Sequence, residues 1–209
     1  MTALPLFTWL SPSFPIGAFA YSGGLEAAVA RELIRNADEL RDWLAAALEG
    51  GTIRSDALTV AIAARGGEPE ELDALVLALA GSPTRENELR ALGAAFRQAA
   101  APWWPEGLAA PLAYPVALGA LAGAHGITPA EAATAFALAA ATNAVQAAQR
   151  LLPIGQRAGV ALIAALEPTL PGLSAEAEHA TTDDLFTTTP AADIAALAHP
   201  TIEPRLFRS

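Results

Sequence analysis

The chain has 209 residues, 53% of them hydrophobic and 16% charged, with a formal net charge of −10. That length suits one compact domain with a real core. The acidic balance excludes the usual nucleic-acid binder and disfavours an anionic membrane surface. All twelve basic residues are arginine and there is no cysteine, so a Schiff-base or P-loop lysine, a disulfide frame, a thiolate nucleophile and a zinc finger are all ruled out.

Residues 1–24 hold Pro5, Pro12 and Pro15 together with glycines and aromatics. They are expected to form a structured loop leading into a helix. The start is not basic, so it does not read as a signal peptide, and a cytoplasmic protein is expected. Asn36 with Glu39 predicts a capping box, and Leu40, Trp43, Leu44 and Leu48 share one helical face before Gly50-Gly51. A helix over Ser55 to Ala64 follows, stopped by Gly66-Gly67. Pro69, Glu70 and Glu71 open the next, with Leu72, Leu75, Val76 and Leu79 as its apolar stripe. Thr84 to Ala100 is amphipathic, with Arg85, Glu86, Glu88, Arg90 and Arg97 expected largely on the wet side. Pro102-Trp103-Trp104-Pro105 reads as a loop.

From Gly107 to Gln149 only His125 and Glu131 carry an acid or base group that titrates near neutrality or below. A membrane span is rejected, because Pro111, Pro115, Gly126 and Pro129 interrupt the stretch and alanine contributes little transfer energy. Thr128-Pro129-Ala130-Glu131 is a strong helix start. The stretch is therefore expected to hold two charge-poor helices, central in the core or facing another protein. Gly119 and Gly123 suit close helix packing. Arg150 to Gln156 breaks the pattern and a helix to about Leu166 follows, with Pro168 to Gly172 expected to end it. Thr181 to Pro190 reads as loop, Ala191 to Ala198 as a short helix, and Pro200 to Ser209 as an extended tail. There is no internal repeat. The fold expected is all-α, a single-domain bundle of roughly eight to ten helices.

Catalytic patterns fail one by one. His125, His179 and His199 are far apart, and none is spaced to share a metal on one helix turn. No P-loop is present, Gly17, Gly23 and Gly24 do not form a dinucleotide fingerprint, and Ser22 lacks a nucleophile elbow. Asp183-Asp184 reads as an exposed pair rather than a cation site. Three patches remain. LSPSFPIGAFAYSGGLE, Leu10 to Glu26, could be a plug on the core or an interface. Arg150 to Gln156, RLLPIGQ, places an arginine beside a long uncharged stretch. RLFRS, Arg205 to Ser209, brackets Leu206 and Phe207 with arginines, the residue types that dominate interfaces.

Together these patches resemble the UreF family of urease accessory proteins. Leu10, Pro15, Gly17, Phe19, Ser22, Gly24, Leu25 and Glu26 follow its N-terminal signature. Thr84-Arg85-Glu86 followed by Leu89-Arg90 resembles its T-R-E-L-R region, with Asn87-Glu88 as an inserted-looking departure. Tyr114 to Gly119 and His125-Gly126-Ile127 are similar to its central helices. Arg150, Pro153, Gly155 and Gln156 fit its R-L-x-P-x-G-Q motif, and Asp193-Ile194-Ala195, His199 and RLFRS its C-terminal signature. The segment His199 to Pro204 departs from the family in carrying Pro200 and Pro204 and no tyrosine, which stiffens the tail.

The resemblance implies an all-α, usually dimeric adaptor. It would bridge UreD (also called UreH) and the nickel-carrying GTPase UreG, for GTP-dependent nickel delivery to apo-urease. It implies no catalysis and no cofactor of its own, with 1–209 as one domain and 199–209 as a docking tail. The expected partner-binding residues are Pro15, Gly17, Phe19, Ser22, Gly24, Glu26, Arg150, Pro153, Gly155, Gln156, His199, Arg205, Leu206, Phe207 and Arg208. Two alternatives stay open: Arg150 acting in trans on the GTPase as an arginine finger, and a direct nickel carrier using His199 or another histidine.

Overall fold

The computed structural model describes residues 3–108 and 111–209. Met1 and Thr2 of the N-terminal loop, and Ala109 and Ala110 of the charge-poor stretch, lie outside the described residues. The fold is all-α, with no strand among the described residues.

The charge-poor helices take the centre, as their composition requires. α4 (Thr52–Arg65) packs on both α7 (Tyr114–Ala124) and α8 (Pro129–Leu151), its two most extensive partners. α7 is buried on nearly every side, through Pro115 to Gly119, Leu121 and Ala122. Its glycines permit this approach. A Cβ on Gly119 would overlap the carbonyl oxygen of Val60, and one on Gly123 that of Ala64. α8 opens with the expected capping box. Glu131 N–H donates to Thr128 Oγ1, and Glu131 Oε2 accepts from Thr128 N–H. It buries Phe136, Ala137, Ala141 and Val145 and leaves the opposite face partly open.

α3 (Ala37–Gly50) covers the centre with Leu40, Leu44 and Leu48. Its cap differs from expectation. Asn36 Oδ1 accepts from Glu39 N–H, but the Glu39 carboxylate reaches past Asn36 to Arg35, accepting from its backbone N–H at 2.7 Å and from its guanidinium. The arginine one residue earlier is the stronger donor, so the box is not closed. α5 (Pro69–Ala78) and α6 (Pro83–Ala99) complete one side. On α6, Glu88 is buried and Arg85 half-buried, against the expectation that both face water.

Pro168 to Gly172 does not end the helix outright. α9 (Gln156–Leu166) passes through a 3-10 turn, Glu167–Thr169, into α10 (Leu170–Ala177). Pro168 and Pro171 stand in first-turn positions, where a missing N–H costs nothing. Among the described residues this run, Gln156–Ala177, is long and apolar enough to cross a membrane by length and composition. Here its buried Leu162, Leu166, Leu170 and Leu173 belong to the shared core, and α10 packs on α8 and α4. The N-terminal segment is more helical than a loop, with α1 (Leu4–Trp9) and a 3-10 turn at Ala18–Ala20 before α2 (Leu25–Ala30). α11 (Pro190–Ala198) lies on α2 and delivers the tail.

Candidate functional site

The N-terminal segment has two faces. Leu6 and Trp9 are buried, with Trp9 edge-on to Phe96, Trp103 and His125. Phe7 and Phe19 are 78% and 73% exposed. The plug reading holds for Leu6 and Trp9, while Phe7 and Phe19 stay on the surface. Gly17, at φ +77°, caps the 3-10 turn that carries Phe19, a left-handed conformation that favours glycine. A groove of about 990 Å³ runs beside this segment, lined by Phe7, Leu10, Phe14, Phe19 and, on α8, Leu138 and Asn143.

Gly24, at φ +83°, forms the N-cap of α2. A Cβ there would lie 3.0 Å from Ala196 Cα, so glycine lets α2 rest directly on α11. This contact brings Glu26 to the end of α11 and the start of the tail. The Glu26 side chain is only 5% exposed, and a buried carboxylate requires donors. Three converge on it. Oε1 accepts from Leu206 N–H at 2.6 Å, and Oε2 accepts from Phe207 N–H at 3.1 Å and His199 Nε2 at 2.9 Å. Burial pushes the Glu26 pKa up. The Leu206 amide, His199 and the Phe207 amide together outweigh it and hold the carboxyl below its usual range. His199 is wholly buried, and its Nδ1 has no hydrogen-bond partner among the described residues.

Further bonds join the same two segments. Ser22 N–H donates to the Ser209 carbonyl oxygen at 2.9 Å, and Ser22 Oγ donates to the same atom. Arg208 N–H donates to Ala20 O at 2.8 Å. Ser209 Oγ donates to Glu88 Oε2 at 2.7 Å. Glu88 is in turn held by Arg85 Nη1 at 2.8 Å, and Arg85 also pairs with Asp56. Burial opposes the Arg85 charge, but the carboxylates of Asp56 and Glu88 outweigh it and raise the pKa.

Arg150 closes the assembly from α8. Its Nη1 donates to Phe19 O at 2.9 Å, and its guanidinium stands 4.3 Å from the centre of the Phe207 ring, within cation–π range. Phe207 is buried beneath it, whereas Leu206 is 58% exposed. The side chains of Arg205 and Arg208 are in exposed residues.

Most of the predicted site residues thus meet, although the N-terminal and C-terminal members are some 180 positions apart. Pro153, Gly155 and Gln156 do not join them by any hydrogen bond among the described residues. They form the bend between α8 and α9, with Gly155 as the N-cap of α9. Pro15 is exposed beside the 3-10 turn. Sequence reasoning held Ser209 only as a member of the tail motif, and missed Glu88 with its support from Asp56 and Arg85. The one signal for Glu88 was its place in the insertion-like departure. Among the described residues no three His, Asp or Glu side chains gather as a metal site.

Comparison with known proteins adds a lineage to this geometry. The family model described as UreF matches residues 34–167. A protein named "Urease accessory protein UreF" from Rhizobium leguminosarum bv. trifolii (strain WSM2304) is 46% identical over 214 residues, covering 99% of this chain and 96% of its own. One of the same name from Rhizobium johnstonii is 45% identical over 213 residues with the same coverage. One from Rhizobium meliloti (strain 1021) is 43% identical over 213 residues, again covering 99% and 96%.

Proposed function

The chain belongs to the UreF family of urease accessory proteins, and on that premise we propose that it acts in urease maturation as an adaptor. It bridges UreD/UreH and the GTPase UreG, so that nickel reaches apo-urease as GTP is hydrolysed. The chain works as a homodimer in the cytoplasm and leaves nucleotide binding and nickel holding to its partners. The observation that carries this reading is the joined loop–tail surface. Exposed Phe19 and Leu206 stand over a buried clamp of Glu26, His199 and Phe207, closed from outside by exposed Arg150. Aromatic and arginine side chains held rigidly in this way are the usual anchors of protein interfaces.

The arginine-finger alternative is less well supported. A finger must be free to reach a transferring phosphoryl group, and the Arg150 guanidinium is bonded to Phe19 O and stacked on Phe207. The carrier alternative loses its main residue, since His199 is buried with Nε2 on Glu26.

The adaptor reading is tested by light scattering after size exclusion, with this protein, UreD and UreG from one source plus GTP and nickel. A ternary complex that requires this chain is expected, along with its loss on deletion of Arg205 to Ser209. A chain that eluted alone from every mixture would sink the reading.

A further inference from the structure

An arginine in the first turn of a helix sits at the end whose dipole disfavours a cation, and a buried one must find partners. Arg54, the third residue of α4 and 7% exposed, is in both positions. Its partners lie far along the chain. Nε donates to Glu176 Oε2 on α10 at 3.1 Å, and Nη2 donates to Glu176 Oε1, which makes a two-pronged ion pair. Nη1 donates to Asp184 O at 3.1 Å, and the guanidinium stands 5.1 Å from the centre of the Phe186 ring, within cation–π range. One side chain thus holds the end of α10, the turn after it and the ring beyond that turn.

Residues 178–189 connect α10 to α11, and they are held at further points. Arg65, about three turns after Arg54 and on the same side of α4, donates to Ala177 O at 2.8 Å and to Ala180 O at 2.7 Å. Leu185 is buried. Thr188 N–H donates at 2.7 Å to the carbonyl oxygen of Gly50, the last residue of α3. The connector therefore runs pinned along α4 to the end of α3 before α11 begins. α11 itself packs chiefly on α2, so its place there depends on where the connector releases it.

We propose that Arg54 is a positioning residue for the partner-binding surface: it fixes the connector, and through it the point from which α11 reaches α2. The consequence for partners rests on the adaptor reading; the hold on the connector does not. Arg54 is buried against the connector and cannot touch a partner itself. It therefore acts on binding only through the path of the chain. Lysine does not replace it, because a single ammonium cannot grip both carboxylate oxygens, bond Asp184 O and lie against Phe186 at once. With the guanidinium gone, connector residues are released. Fixing even one of them again as a partner docks costs conformational entropy equivalent to about a tenfold loss of affinity.

The test sets the full-length native chain beside Arg54→Met and Arg54→Lys at a temperature where all are folded. Binding to UreD is measured by titration calorimetry, and amide exchange in the free chains by NMR. Arg54→Met is expected to bind UreD about tenfold more weakly and to exchange the Leu185 and Thr188 amides faster, with α7 and α8 unchanged. Arg54→Lys should recover part of both. A residue that served stability alone would lower the unfolding midpoint and leave the affinity of the folded chain where it was. Native affinity in Arg54→Met overturns the proposal, as does weaker binding with the two amides protected as in the native chain. A native chain that bound neither UreD nor UreG would sink the adaptor reading instead, and the exchange of the two amides would then decide the hold on the connector by itself. If Arg54→Met failed to fold, Glu176→Gln takes its place. Loss of that charge should move both readouts the same way by a smaller amount, and no change in either overturns the proposal.

Discussion

Single side chains decide how the acidic residues of this chain are tolerated. Asp56, Arg85 and Glu88 form one partly buried network, in which one guanidinium offsets two carboxylates. Replacing Arg85 by methionine keeps much of the volume and leaves two acids facing each other with no counter-charge. Breaking a buried pair from one side typically costs roughly 3–5 kcal/mol. The network is partly open to water, so a loss of about 3 kcal/mol, read by urea denaturation, is expected. An Arg85→Met protein as stable as the native one would refute the network's role. The double substitution Arg85→Met with Glu88→Gln should cost less than the sum of the single ones, because the two groups are coupled. This network was not legible in the sequence. Helical spacing alone puts Arg85 and Glu88 on a polar face, and the approach of Asp56 on α4 and of Ser209 from the far end of the chain makes that face interior.

At the scale of elements, legibility followed the strength of local chemistry. The start of α8 was readable because Thr128, Pro129 and Glu131 satisfy its first amides without outside help. Thr128→Ala removes the cap and should cost about 1 kcal/mol of stability. In a chain of this size that corresponds to a melting temperature lower by roughly 2–4 °C. The cap of α3 was half readable: Asn36 acts as foreseen, but Glu39 prefers Arg35. α9 ends at Leu166 as foreseen, but the chain runs on through a 3-10 turn into α10, because prolines that break a helix interior are tolerated wherever a new turn begins. The glycines of α7 carry more weight than their sequence suggests. With Val60 and Ala64 backbone against them, Gly119→Ala must push α4 and α7 apart, an overpacking penalty of about 1–3 kcal/mol. Thermal unfolding of Gly119→Ala beside Gly172→Ala separates close packing from helix propensity, since nothing stands within 4 Å of a Cβ at Gly172. Equal effects at the two positions would refute the packing account.

Across the whole molecule, the sequence pattern located the core but not the meeting of the loop, Arg150 and the tail. Charge-poor α7 and α8 went to the centre because nothing else in the chain could be buried at so little desolvation cost. The loop, Arg150 and the tail met because α2 lies on α11, a contact between distant segments that no local periodicity encodes. That meeting also sorts the charges. The chain carries −10 overall, yet Arg150, Arg205 and Arg208 gather around exposed Phe19 and Leu206, and none of the three forms an ion pair among the described residues. On the adaptor reading, such a cationic rim on an acidic body would steer an acidic partner face toward this surface and turn away the chain's own acidic faces. On the adaptor reading, raising the salt from about 0.05 to 0.5 M should slow association with the partner that docks here by about tenfold, mostly without changing dissociation. Reversing Arg205 to glutamate should produce a similar slowing at low salt and flatten the salt dependence, because its side chain lies at the rim and not in the clamp. Stopped-flow association with UreG, and separately with UreD, identifies which of the two uses the surface. An association rate indifferent to salt for both partners would mean that the arginines serve only to hold the tail, and that the apolar pair Phe19 and Leu206 recruits by burial alone.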